Sequence, residues 1–405
     1  MPSVLPEGEP APSDGSLPEQ VWPEIPLRPL GIYVHVPFCT TRCGYCDFNT
    51  YTAAELGTEP GASRAGYIDA AIEELKLAAR VLGPEAPTVS TIFVGGGTPT
   101  VLPPDHLGRL ITAVRDNFGL AADAEVTTES NPESIDSTGL HQLRELGFNR
   151  ISFGMQSAVP HVLETLDRTH SPGRPLQAVA EAKAAGFGNI SLDLIYGTPG
   201  ESAADWMASL DAALSAGPEH ISVYALIVED GTRLAARIRR GELPPPDDDD
   251  LAEKYLIADE RLAAAGHTIY EVSNWSMSAA ARCRHNLGYW RSHHWWGVGP
   301  GAHSHVGGVR WWNVKHPAAY ASRLAAGVSP AQAREVLSAA DRRVERILLE
   351  LRLADGLSTS LLTLAERDRL PGLLARRLAV VENEMLILTR QGRLLADGVI
   401  RDLLD

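Results

Sequence analysis

The sequence predicts an α/β fold: a partial (β/α)6 barrel of the TIM type followed by a small separate domain. Three observations carry this. From Gly31 onward, short apolar runs alternate with amphipathic helical stretches at roughly 25–60-residue spacing, which is the signature of parallel βα units. Six such units fall short of the eight that close a barrel, so the sheet should stay open. The polar residues able to carry chemistry sit at the carboxyl ends of the apolar runs, where ligands bind in barrels and doubly wound sheets alike. A doubly wound sheet is the structural alternative that periodicity alone leaves open.

Residues 1–29 hold eight prolines (Pro2, Pro6, Pro10, Pro12, Pro18, Pro23, Pro26, Pro29) and no apolar periodicity, so a disordered tail is expected there. Strands are expected over 32–38, 91–95, 125–129, 150–154, 190–196 and 221–228, with helices over 67–81, 106–118, 176–185 and 203–215. Gly186 supplies a glycine stop to the third of these helices. Pro244-Pro245-Pro246 followed by the acids 247–250 reads as a rigid turn into a helix over 251–265. Acids at a helix N-terminus favour that over a cation site. Val344, Ile347, Leu348 and Leu351 share a helical face that Gly356 ends, and Leu386-Ile387-Leu388-Thr389 suggests a strand, a turn at Gly392 and a final short helix. The chain thus divides into the tail, a barrel over 30–265, an extension packed on it over 266–329, and a C-terminal α+β domain over 330–405.

With 36 basic and 51 acidic side chains the net charge is −15, which argues against nucleic acid or an anionic membrane as partner. Only four of the basic residues are lysine (Lys76, Lys183, Lys254, Lys315), a bias of genome composition rather than of RNA binding. No signal peptide and no long apolar run occur, so a cytoplasmic protein without a transmembrane segment is expected.

Three of the four cysteines, Cys39, Cys43 and Cys46, lie within eight residues as C-x3-C-x2-C just after a strand, while Cys283 stands apart. A disulfide framework would spread its cysteines, so metal ligation in a reducing compartment is the better interpretation. One possibility is a zinc loop that borrows a distant His or Cys283 as fourth ligand. The other is a four-iron cluster with one iron left open for a substrate or cofactor. Gly95-Gly96-Gly97-Thr98-Pro99 follows the second strand, and residues without Cβ let backbone approach a ligand closely. Glu129, Gln156 and Asp193 are polar positions inside or at the ends of apolar runs, each needing a buried partner or a ligand.

The cysteine loop, with Tyr45 before its last cysteine, resembles the radical S-adenosylmethionine superfamily. Its members bind S-adenosyl-L-methionine on the open iron of a [4Fe-4S] cluster and reductively cleave it to an adenosyl radical. The glycine run, Glu129, Gln156 and the Leu192–Gly200 segment narrow the resemblance to the HemN/HemW family, the oxygen-independent coproporphyrinogen III oxidases and their relatives. It covers the chain from Gly31 to the C-terminus. The resemblance implies a barrel of the radical S-adenosylmethionine type with a small helical, winged-helix-like C-terminal domain. It implies Cys39, Cys43 and Cys46 as cluster ligands. It also implies contact with S-adenosylmethionine by Tyr33, Tyr45, Gly96, Gly97, Thr98, Glu129, Gln156, Arg168, Asp193 and Ala225.

Within that family, oxidases carry a fourth cysteine two residues after the third ligand. Here Cys46 is followed by Asp47 and Phe48, the pattern of the HemW branch, and His285-Asn286-Leu287-Gly288-Tyr289-Trp290 matches that branch's H-N-x-x-Y-W signature. Six of the eight tryptophans and five histidines (His285, His293, His294, His303, His305) cluster between 275 and 312, offering imidazoles and flat apolar surfaces to a haem. The alternative for this window is a tryptophan-rich core with incidental histidines. The resemblance implies a haem chaperone that binds haem, with His285 as iron ligand, and delivers it to a haem-accepting protein such as a respiratory enzyme. An electron donor would serve the cluster. The runner-up is a true oxidase that converts coproporphyrinogen III to protoporphyrinogen IX by radical decarboxylation, which Phe48 and His285 disfavour.

Overall fold

The computed structural model describes residues 7–56 and 63–404. Six parallel strands, β1 (Leu30–Val36), β2 (Val89–Gly96), β3 (Leu120–Ser130), β4 (Arg150–Gln156), β5 (Asn189–Tyr196) and β6 (His220–Ala225), lie side by side in chain order. A doubly wound sheet must reverse its order at a switch point. This one does not, and it ends in two separate edges, so the partial barrel is the architecture found. Helices Arg64–Leu82, Pro104–Phe118, Arg174–Ala184 and Ala203–Ser215 contain or overlap the expected stretches, and Gly186 takes a φ of +88° after the third. The helix after the proline run spans Asp248–Ala264, with the Asp247 carboxylate capping the Asp250 N–H. Asp250 also pairs with Lys254 at 2.6 Å, so the acids serve a helix start.

The segment after the barrel closes its underside. Strands Thr268–Glu271 and Asn274–Ser276 pair beyond β6, helix Arg284–Trp290 runs beneath, and strand His294–Val298 pairs in parallel with β1 on the opposite edge. Strands His303–Val306, Val309–Asn313 and Ala331–Val336 continue that edge antiparallel. The boundary expected at 330 therefore moves: residues 331–336 belong to the large sheet because their ladder is satisfied by Val309–Asn313. The C-terminal unit has its own core of Ile347, Leu351, Leu357, Leu386, Val399 and Leu403, around three antiparallel strands and several helices.

Two further expectations are corrected. Of the tail, residues 1–6 lie outside the described residues, but 7–29 are packed rather than disordered. Glu9–Pro10 adds a strand to Ala331–Val336, and the 3-10 helix Glu19–Leu27 buries Val21 and Ile25. Leu17, Val21 and Ile25 recur every four residues, a periodicity that proline-rich composition masked. Gly392 lies inside helix Arg390–Leu394, not in a turn. A Cβ there would come 1.8 Å from the Leu378 carbonyl oxygen, so the position needs smallness rather than a reversal of chain direction.

Candidate functional site

Side chains alternate across a strand, so every second residue of the barrel faces inward. Registered inward positions include Tyr33, Phe93, Thr127 and Arg150, then Glu129 with Ser152, and Asp193 with Ser222. They line an open cavity of about 820 Å³, within the range of ordinary ligand sites. All fourteen residues singled out from the sequence lie on its wall: Tyr33, Cys39, Cys43, Tyr45, Cys46, Gly96, Gly97, Thr98, Glu129, Gln156, Arg168, Asp193, Ala225 and His285.

At the carboxyl end of the barrel the chain leaves β1 into the cysteine loop. The loop is held by backbone bonds from Cys39 N–H to the Tyr51 carbonyl (3.0 Å) and from Gly44 N–H to the Leu166 carbonyl (3.0 Å). The three thiols are half-buried, and burial raises Cys39 and pushes Cys46 up to about 11. Arg168 reaches in with Nη1 3.4 Å from Cys43 Sγ, while its Nη2 donates to the Gly154 carbonyl at 2.8 Å. Gly97 faces the loop with no room for a side chain, since a Cβ would meet the Phe38 carbonyl oxygen at 2.4 Å and Cys39 Sγ at 3.0 Å. Gly96, at φ +110°, donates its N–H to Glu129 Oε2 at 2.9 Å. Burial, with Asp193 nearby, pushes the Glu129 carboxyl up to about 7. Gln156 holds a left-handed φ of +62° at the end of β4, a strain of roughly 1–3 kcal/mol of the kind that persists at ligand sites.

The floor is different. Helix Arg284–Trp290 begins where Glu125 accepts the backbone N–H groups of Arg284 (3.1 Å) and His285 (3.0 Å), and Cys283 Sγ lies 3.6 Å from the same carboxylate. Glu125 precedes Glu129 by four residues on β3, about 13 Å along the strand. Cys283 is thus part of the floor and not a fourth ligand reaching the cysteine loop. His285 is buried, stacked on Phe93 at 5.3 Å, with Nδ1 2.8 Å from Thr91 Oγ1 and Nε2 2.8 Å from the Tyr289 hydroxyl. Both ring nitrogens are committed, and burial lowers the pKa to about 3.

Whether this cavity fits a polar ligand has a direct indication. Arg42 Nε, Thr127 Oγ1, Arg150 Nη2 and His303 Nε2, all from wall residues, are buried without hydrogen-bond partners. Buried polar atoms normally have partners, and an unsatisfied one costs roughly 1–3 kcal/mol. Three thiols around a glycine cradle, an arginine beside them and unsatisfied donors deeper in the wall fit a cluster and a charged nucleotide cofactor. Arg150, Thr127 and His220 were not singled out from the sequence as site residues, and His303 stood there only as one of five clustered histidines. The period-two run Arg150-Ser152-Gly154-Gln156 could have revealed the first, because its polar positions all face one side.

The chain matches the Radical SAM superfamily over residues 33–213. It is 54% identical over 380 residues to "Heme chaperone HemW" of Mycobacterium tuberculosis, covering 94% of this chain and 96% of that one. It is 33% identical to "Heme chaperone HemW" of Bacillus subtilis, covering 91% and 97%. Its fold superposes on coproporphyrinogen III oxidase (HemN) from Escherichia coli with a TM-score of 0.81 at 24% identity, covering 96% and 94%. Among the described residues no helix is long and apolar enough to cross a membrane. Similarity this extensive settles the lineage: the chain belongs to the HemW branch of the HemN/HemW family, within the radical S-adenosylmethionine superfamily.

Proposed function

We propose that this protein is a haem chaperone of the cytoplasm that binds haem, carries a [4Fe-4S] cluster with S-adenosyl-L-methionine, and hands haem to an acceptor protein. The observation that carries this is the 54% identity over 94% of the chain to a protein named a haem chaperone. Cys39, Cys43 and Cys46 would ligate the cluster, leaving one iron open to the amino-acid end of the cofactor. That pair supplies one-electron reduction of a sulfonium when a donor delivers the electron. Arg168 keeps a fixed positive charge beside Cys43, and Glu129, on the cavity wall, is held through Oε2 by the Gly96 N–H. Asp193, whose two oxygens share the single Ser152 hydroxyl at 2.9 Å, lies on the cavity wall and would keep acceptor capacity for a hydroxyl-bearing ligand such as a ribose. Tyr33, Tyr45 and Ala225 offer apolar wall to its adenine.

The cargo has apolar surface at the same mouth. Phe48 (45% exposed), Tyr224 (45%) and Ile227 (67%) line the cavity and stand open to solvent, which suits a macrocycle better than water. Phe48 also occupies the position of the fourth cysteine of the oxidases. The three arginines of the wall already hold protein partners, Arg42 with Glu55, Arg150 with Glu125 and Arg168 with Gly154. Arg42 Nε and Arg150 Nη2 remain open to a carboxylate of the cofactor or of the cargo. The test is an anaerobic incubation of reduced protein with S-adenosylmethionine and coproporphyrinogen III, beside a haem titration. The proposal expects haem binding and no protoporphyrinogen, and enzyme-like formation of protoporphyrinogen would establish the oxidase instead.

A further inference from the structure

Three histidines line the cavity, and their ring nitrogens are not equally available. His220 has Nδ1 2.8 Å from Ser191 Oγ and Nε2 2.9 Å from the Tyr270 hydroxyl. His285 is tied at both nitrogens to Thr91 and Tyr289. His303 differs: its Nε2 is buried and has no partner among the described residues. We propose that His303 is the residue through which the cavity binds the iron of the haem cargo, with His285 acting as a scaffold histidine of the floor. This rests on the haem-binding proposal above and names the ligand within the same site.

The setting of His303 is rigid and aromatic. It opens strand His303–Val306, whose partner His294–Val298 pairs with β1, so it stands one strand out from the pairing of Gly297 with Tyr33. Its carbonyl accepts from Trp295 Nε1 at 3.0 Å, and its ring stacks on Trp312 at 5.9 Å and 28°. Gly297 makes the approach possible, because a Cβ there would meet the His303 carbonyl oxygen at 2.1 Å. Trp295 lines the cavity beside it and packs edge-on against Tyr289 at 4.8 Å, so one aromatic wall runs from His303 down to the floor. A flat macrocycle needs such a wall together with a neutral imidazole. Burial lowers the His303 pKa to about 4, which leaves the nitrogen lone pair free of a proton at neutral pH.

The energetic contrast favours His303 as well. Iron ligation by His285 must first break a buried hydrogen bond and strand a hydroxyl. Ligation by His303 removes an unsatisfied nitrogen instead. The experiment is haem titration of the anaerobically purified full chain, read by the Soret band and by electron paramagnetic resonance of the ferric complex. Wild type, His303→Ala, His303→Met and His285→Phe are compared, with iron–sulfur content as the control for folding. The expected result is that His303→Ala weakens haem binding on the order of tenfold or more and loses the histidine-ligated spectrum. Added imidazole should restore that spectrum, and His303→Met should show an altered axial ligand. His285→Phe should retain the wild-type spectrum. An unchanged spectrum in both His303 variants, with loss of histidine ligation in His285→Phe, would overturn the assignment. If wild type itself took up no haem, the haem-carrier proposal would fall first and this inference with it.

Discussion

The mouth and the floor of one cavity follow opposite rules. At the floor, Glu125 accepts two backbone N–H groups and meets Cys283, His285 is bonded at both nitrogens, and Arg150 donates to the Ala281 carbonyl. Most strong groups there have a partner within the fold, Arg150 Nη2 and the neighbouring Thr127 Oγ1 being left over. At the mouth, three half-buried thiols lie together, Glu129 is forced toward neutrality, Gln156 is strained, and Phe48 and Ile227 face solvent. Groups satisfied by the protein hold the barrel shut from below, whereas groups left wanting at the top mark where ligands complete the structure. A motif histidine can belong to the first kind, and the H-N-x-x-Y-W histidine does so by its hydrogen bonds.

The contrast can be broken by substitution, and the largest effect is expected at the mouth. Cys43→Ala should abolish the iron–sulfur chromophore and S-adenosylmethionine binding, while circular dichroism and the unfolding midpoint stay close to wild type. A large loss of fold stability would mean that the loop is scaffold. The next effect belongs to the floor. His285→Leu leaves the Thr91 and Tyr289 hydroxyls without partners and should cost about 2–4 kcal/mol in denaturant unfolding. Less than 0.5 kcal/mol would contradict a floor built on satisfied groups.

Two smaller effects sharpen the boundary. Glu125→Ala removes the acceptor for two N–H groups at the start of helix Arg284–Trp290, and an unfolding series should register about 1–2 kcal/mol, as for other helix caps. For Glu129 the sign follows from its raised pKa. Between 4.5, its ordinary value, and about 7, the folded state holds a proton that the unfolded state has lost. Stability without cofactor should therefore fall as pH rises through that window, by at most about 1.4 kcal/mol per pH unit, and Glu129→Gln should flatten the slope. An identical slope in the variant would show that another group titrates.

Much of this was legible in the sequence. β4, β5 and β6 begin within a residue of the expected positions because their branched apolar runs are bounded by turns, and the cysteine loop announced itself by spacing. Three features were not legible. The tail packs because it meets residues some 300 positions away, Val21 against Gly307 and Glu24 against Arg342, which local composition does not encode. The fate of His285 depends on Thr91 and Tyr289 hydroxyls that only the fold brings within 2.8 Å. Likewise, nothing in the spacing of His303 distinguishes it from its neighbours His293, His294 and His305; its unpartnered nitrogen appears only in three dimensions.

The central claim is that three neighbouring thiolates hold an iron–sulfur cube with one corner open to a sulfonium nucleotide. Electron paramagnetic resonance of the anaerobically purified, reduced chain, before and after adding S-adenosylmethionine, tests it most directly. The account predicts iron and sulfide in equal amounts and a cluster signal that shifts when the nucleotide binds. Zinc in place of iron, or a cluster signal indifferent to S-adenosylmethionine, would contradict it.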